Sequence, residues 1–303
     1  MRKKQQVKQK TLFNQIAIQF MRNKMAIIGL IILTLIISLG LLSFFATETS
    51  IGVKVFEGTY FDYEKVISQN LNNPLLTPSK DHFLGTDEYG RDILARMIYG
   101  IRISFTIGIT ATLIAVVVGI FFGSISGYYG GTLDQVIMRF MDIWLAIRSI
   151  LLAIIFVSSF GNSTLNLLIA ISISSIPAYA RIIRSSIITV KDNEYIEAAH
   201  AIGAKDSYII LRHIIPNCLS PIIVQSTLGV AGAILSISGL SFLGIGIQPP
   251  TPEWGNMLAN GKQFMLQAPH VVLFPGMMIV ITILSLNLLG DGLRDALDPK
   301  LKR

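Results

Sequence analysis

Five windows of this chain contain no Asp, Glu, Lys or Arg: Met25 to Thr47, Ile103 to Leu133, Ser149 to Ala180, His213 to Pro252 and Gln263 to Gly290. Each is long enough to cross a bilayer, which takes about 20 apolar residues. Only 14% of the residues are charged, against about 25% in a soluble domain. The window from Ser149 to Ala180 carries a turn signal, Phe160-Gly161-Asn162-Ser163-Thr164, and divides there. The preceding span then begins near Val136. The expectation is an all-α polytopic membrane protein with six transmembrane helices, near 25–45, 102–124, 136–158, 164–184, 219–243 and 271–290.

Charge sets the orientation. The first 24 residues hold Arg2, Lys3, Lys4, Lys8, Lys10, Arg22 and Lys24 and no acid, so the positive-inside rule places the N-terminus in the cytoplasm. Six spans return the C-terminus to that side, with Arg294, Lys300, Lys302 and Arg303. They also put there the segment bearing Arg181, Arg184, Lys191, Lys205 and Arg212. The Met25–Ala46 run is longer than a signal-peptide core and no small-x-small cleavage site follows it, so it reads as an uncleaved first helix. The formal net charge of +7 lies along the flanks of apolar runs and does not point to nucleic acid. Cys218 is the single cysteine and defines neither a disulfide nor a metal site.

The expected organisation is a cytoplasmic tail and first helix over 1–46, an extracytoplasmic segment over 47–100, a five-helix core over 101–292, and a cytoplasmic tail over 293–303. In the outer segment Thr86 is placed to cap a helix with Asp87 and Glu88 in its first turn. Ile93, Leu94, Met97 and Ile98 then share one face, leaving Arg91, Asp92 and Arg96 solvated. The same acids read alternatively as a metal site, the less common outcome for a helix end. Gly119, Gly123 and Gly127, spaced four apart, make a small-residue stripe for close helix packing.

Chemistry-bearing motifs are missing. There is no phosphate-binding G-x-x-x-x-G-K-[ST] and no H-E-x-x-H, and His82, His200, His213 and His270 fall outside the helix centres. The chain is expected to be no enzyme, with no catalytic residue and no metal site. A channel or secondary carrier would want ionisable residues in several spans; only Asp142 and Arg148 stand deep in the third.

The polar stretch between the fourth and fifth runs is the most informative. Asn193 is placed to cap a short helix with Glu194 and Glu197 near its positive end. Tyr195, Ala198, Ala199 and Ile202 form the less polar face. Gly203 permits a turn, and Pro216 starts or kinks the next span. On pattern alone this is either a docking protrusion or an ordinary amphipathic connector.

Glu197-Ala198-Ala199, then Gly203 four residues on and Pro216 thirteen later, resembles the coupling loop of the membrane subunits of ABC importers, here over 185–217. Four further segments resemble the second permease of the peptide and nickel group. These are Phe20 to Gly29, His82 to Gly100, Leu240 to Met257 with Gln248-Pro249-Pro250-Thr251-Pro252, and Asn287 to Leu301. His213 departs from the general coupling pattern and fits the peptide branch. The resemblance implies a type I ABC importer permease fold in the cell membrane, plasma or inner. It also implies a second homologous permease, two cytoplasmic ATPases holding ATP and Mg, and an extracytoplasmic binding protein that delivers oligopeptides or dipeptides. Nickel or metal-metallophore import is the alternative cargo. Glu197, Ala198, Ala199, Gly203, Ile202 and Tyr195 are then the coupling residues, and this chain carries no cofactor of its own. Arg148 stands where that family usually has proline. A continuous third helix would regain a backbone hydrogen bond there and hold a cation near mid-span. Arg148 then faces the pathway or a neighbouring subunit, or else it snorkels or finds a structural partner.

Overall fold

The computed structural model describes residues 12–297; the basic residues Arg2 to Lys10 and Lys300 to Arg303 lie outside the described residues. The elements run α1 (Leu12–Arg22), α2 (Lys24–Glu48), α3 (Ser50–Val55), α4 (Tyr63–Ile67), α5 (Ile93–Tyr129), α6 (Gly131–Ala146), α7 (Ser149–Phe160) and α8 (Thr164–Lys191). They continue as α9 (Glu194–Ala201), α10 (Asp206–Ile209), a π-helical turn (Ile210–Ile214), α11 (Ile215–Asn217), α12 (Leu219–Phe242), α13 (Trp254–Gly261) and α14 (His270–Leu297). The chain is all-α among the described residues.

Five of these helices are long and apolar enough to cross a membrane: α2, α5, α8, α12 and α14. The expected third span is broken. Helix α6 ends at Ala146, α7 starts at Ser149, and the two axes differ by 83°. This corrects the reading of a continuous helix regaining a hydrogen bond at Arg148. Its backbone is extended, with φ −56 and ψ 131, close to the φ a proline would impose. The two halves are held by different neighbours. Asp134 of α6 takes the Arg184 guanidinium in a fork of 2.5 and 2.6 Å. Further out, Ala153 and Val157 of α7 pack with Leu167, Ala170 and Ile171 of α8.

Caps define the helix starts. Asn23 accepts from the Ala26 N–H at 3.2 Å and opens α2. Ser163 accepts from Asn166 at 3.1 Å and opens α8. Asp92 accepts from Ala95 at 3.0 Å and opens α5, so Thr86 is not the cap the sequence suggested. Thr86 instead accepts from the Leu76 N–H and donates to the Asn73 carbonyl. The expected solvated ionic end is buried as well. Asp87 accepts from Arg91 Nε at 2.7 Å and Asp92 faces His82 Nδ1 at 2.9 Å, with Arg91 and Arg96 at 2% and 1% exposure. Asp87 and Asp92 are matched by arginine and histidine, which suits burial.

Helix α5 is the spine. Gly119, Gly123 and Gly127 lie against α8, where a Cβ would come within 2.5 Å of Tyr179 Cβ, 2.6 Å of the Ala180 carbonyl and 3.0 Å of the Arg184 carbonyl. At the other end Trp254 Nε1 donates to the Met97 carbonyl at 3.1 Å. The ring is fully buried over Gly100. The two ends of the described chain meet: Asn23 and Gln19 donate to Asp295, and Ser220 at the start of α12 reaches the Leu297 carbonyl. The starts of α2 and α12 and the end of α14 therefore share one end of the bundle.

Candidate coupling site

The segment between α8 and α12 sits at that same end. Asn193 occupies the cap position of α9, but its side-chain amide donates to the Val190 carbonyl at 2.9 Å instead of capping. Glu194 and Glu197 stand in the first turn, where carboxylates suit the helix dipole. Gly203 has φ +80. Its N–H donates to the His200 carbonyl at 2.9 Å, and the Ala204 N–H donates to the Ala199 carbonyl at 3.1 Å. This pair of bonds is the Schellman stop, which favours glycine at that position. A π-helical turn, Ile210–Ile214, then leads through Pro216 into α12.

The segment has two faces. Ile196, Ala199, Ile209 and Ile214 are buried with Ile183 and Ile187 of α8. Tyr195, Ala198, Ile202, Tyr208 and Leu211 point outward, with Ile202 at 86% and Leu211 at 68% exposure. The less polar face expected from sequence is thus divided. Ala199 belongs to the inner face, because helical spacing puts it over Ile196, the anchor that the sequence reading missed. Tyr208 and Leu211 were missed too; both follow the glycine break, where periodicity restarts. Glu197 is exposed. Arg148 is remote from this segment, exposed at the corner between α6 and α7. Asp142 pairs with Arg181 at 2.8 Å.

The segment is thus a platform buttressed from within, carrying exposed apolar side chains at the end of a bundle of membrane-length helices. Solved structures share the fold. An inward-facing MetNI methionine ABC transporter matches with a TM-score of 0.54 at 15% identity, over 67% of this chain and 96% of that one. An amino acid ABC transporter with histidines matches with a TM-score of 0.50 at 14% identity, over 66% and 92%.

The family of binding-protein-dependent transport system inner membrane components matches residues 116–303, and the N-terminal transmembrane domain of oligopeptide transport permease C matches residues 11–78. The dipeptide transport system permease protein DppC of Alkalihalophilus pseudofirmus is 46% identical over 284 residues, 94% of this chain and 88% of the relative. The glutathione transport system permease protein GsiD of Pectobacterium atrosepticum is 46% identical over 243 residues, 80% and 78%. The chain belongs to the family of binding-protein-dependent ABC importer permeases, in its permease C branch. It is a multi-pass membrane permease subunit with the type I fold and not itself an enzyme.

Proposed function

We propose that this chain forms half of the pathway of an ATP-driven peptide importer, and that residues 192–217 dock on a cytoplasmic ATPase. The carrying observation is the exposed apolar patch of Tyr195, Ile202, Tyr208 and Leu211 on a platform fixed from beneath by Ile196, Ala199 and Ile209. Exposed apolar area on a buttressed surface favours a partner. Gly203 holds Ile202 outermost, and Ala198 and Glu197 flank it. The chain's ends and this segment lie on the cytoplasmic side, as the arginines and lysines favour. A second homologous permease, two ATPases binding ATP and Mg, and an extracytoplasmic binding protein complete the assembly. The relatives named for dipeptide and glutathione transport favour peptide cargo over a nickel complex.

Arg148 belongs to this proposal. Among the described residues it has no ion-pair partner, and a cation within the span of a bilayer needs an anion or water beside it. It faces the pathway between the permeases, where peptide carboxylates pass.

Docking is tested by Ile202→Asp. A charge in the centre of an apolar contact should weaken ATPase co-purification by roughly tenfold or more; unchanged recovery of the ATPase rejects the docking surface. Cargo is tested by uptake of labelled dipeptide and of nickel, with dipeptide uptake expected. Arg148→Gln should lower uptake of that dipeptide while ATPase recovery stays intact.

A further inference from the structure

Three parts of the chain meet at one phenol. Tyr128 lies in the last turn of α5. Its Oη donates to Asp206 Oδ1 at 2.9 Å and stands 3.1 Å from His200 Nε2. The phenol and imidazole rings are stacked, 6.2 Å apart at 22°. His200 is in the last turn of α9 and Asp206 opens α10, so the phenol joins both sides of the Gly203 turn. A phenol has one proton to give. With that proton directed at Asp206, the contact with His200 is a hydrogen bond only where His200 Nε2–H donates to the phenol oxygen, and the bonds then run in one direction from His200 through Tyr128 to Asp206. The carboxylate acceptor makes the last bond one of the stronger kind.

Among the described residues, these are the hydrogen bonds that join α5 to residues 192–217. Two residues earlier, Ser126 Oγ donates to Asp134 of α6, the same carboxylate that holds Arg184 of α8. The inner end of α5 is thus fastened to the loop, to α6 and to α8 within one turn. From there α5 runs unbroken for 37 residues, about 55 Å at 1.5 Å per residue. Its far end is gripped by Asp92, Arg96 and the Trp254–Met97 bond.

We propose that Tyr128 is the positioning residue through which movement of the coupling segment enters the membrane. Force on the outer face of α9 passes through the His200–Tyr128–Asp206 chain to α5, which acts as a lever on the outer segment. This rests on the reading of residues 192–217 as the ATPase-facing surface.

The test is amide hydrogen exchange on the intact importer in lipid nanodiscs, with and without ATP and vanadate. In the native complex, nucleotide should change exchange at 194–209 and at 122–131. Tyr128→Phe keeps the ring and removes the donor. The response at 194–209 should persist, and the one at 122–131 should fall to roughly a tenth, the effect of one charge-assisted hydrogen bond. Asp206→Ala should reproduce this from the other side of the bond. Asp206→Asn, which keeps an acceptor oxygen without the charge, should restore part of it. A native-sized response at 122–131 in both Tyr128→Phe and Asp206→Ala overturns the proposal, as does a native complex in which 122–131 ignores nucleotide. No response at 194–209 in the native complex fails the docking reading itself, a separate result.

Discussion

Glycine does three different jobs here, and the same substitution separates them. At Gly123 an added methyl would come 2.6 Å from the Ala180 carbonyl and 2.9 Å from Ile183 Cβ. Backbone cannot step aside, so Gly123→Ala must push α5 away from α8 at about 1–3 kcal/mol. At Gly203 a methyl meets nothing within 4 Å, but φ is +80, and a left-handed L-residue costs about 1–2 kcal/mol. At Gly232 there is open space and ordinary helix geometry, so alanine gains about 1 kcal/mol of helix propensity. The expected outcomes are a lower thermal midpoint in detergent for Gly123→Ala and a raised one for Gly232→Ala. Gly203→Ala should loosen only residues 194–209, measured by hydrogen exchange. The stripe at Gly119, Gly123 and Gly127 and the turn at Gly203 were legible because spacing and chirality are local properties. The inward turn of Ala199 was not, because it depends on which side of α9 meets Ile183 and Ile187 of α8, a contact distant in sequence.

The outer ionic group shows the same limit at the level of elements. Local rules read Thr86 as a cap and the acids as solvated, whereas the chain folds 68–92 back so that Asp87, Arg91 and Arg96 are sealed under α13 and α14. Composition could show that charges were present but not that they would pair with one another. One of them is poorly matched: Glu88 has a buried Oε1 without a hydrogen bond, 3.5 Å from Arg91. Burial, followed by the neighbouring Asp87 charge, pushes its carboxyl above the ordinary 4.5. The folded segment therefore favours the protonated acid. The contribution of Glu88 to its stability is fully present below about pH 4.5 and is lost as pH rises through the raised value. Glu88→Gln should abolish this decline and slow proteolytic nicking of the outer segment at neutral pH. Limited proteolysis across a pH series measures it; a pH slope unchanged by Glu88→Gln would sink the assignment. The broken span has a related origin. Length and hydropathy predicted one helix over 136–158, but the corner at Arg148 follows from α6 and α7 being held at different places along α8.

At the scale of the molecule, the five membrane-length helices and the broken pair of α6 and α7 were readable from apolar length, because the bilayer imposes it. What the sequence lacked was the pairing of the ends. The Asn23–Asp295 and Ser220–Leu297 bonds fix α2, α12 and α14 to a common end, and α12 runs from there as a 24-residue helix. Leu266, 96% exposed, lies beyond its other end, and Ile202 lies before its start. At 1.5 Å per residue α12 separates them by about 36 Å, the thickness of a hydrocarbon core with its margins. The native thiol, Cys218, is 1% exposed, so it stays silent toward a bulky reagent and the natural chain serves as background. Leu266→Cys should react with a membrane-impermeant maleimide in intact cells, while Ile202→Cys should react only in inverted vesicles. Adding the ATPase to those vesicles should then protect Ile202→Cys and leave Leu266→Cys unaffected, since docking covers one face of the platform and nothing on the far side. Labelling of both positions from the same side would contradict an odd number of crossings between them, and with it the placement of the apolar patch against a cytoplasmic motor.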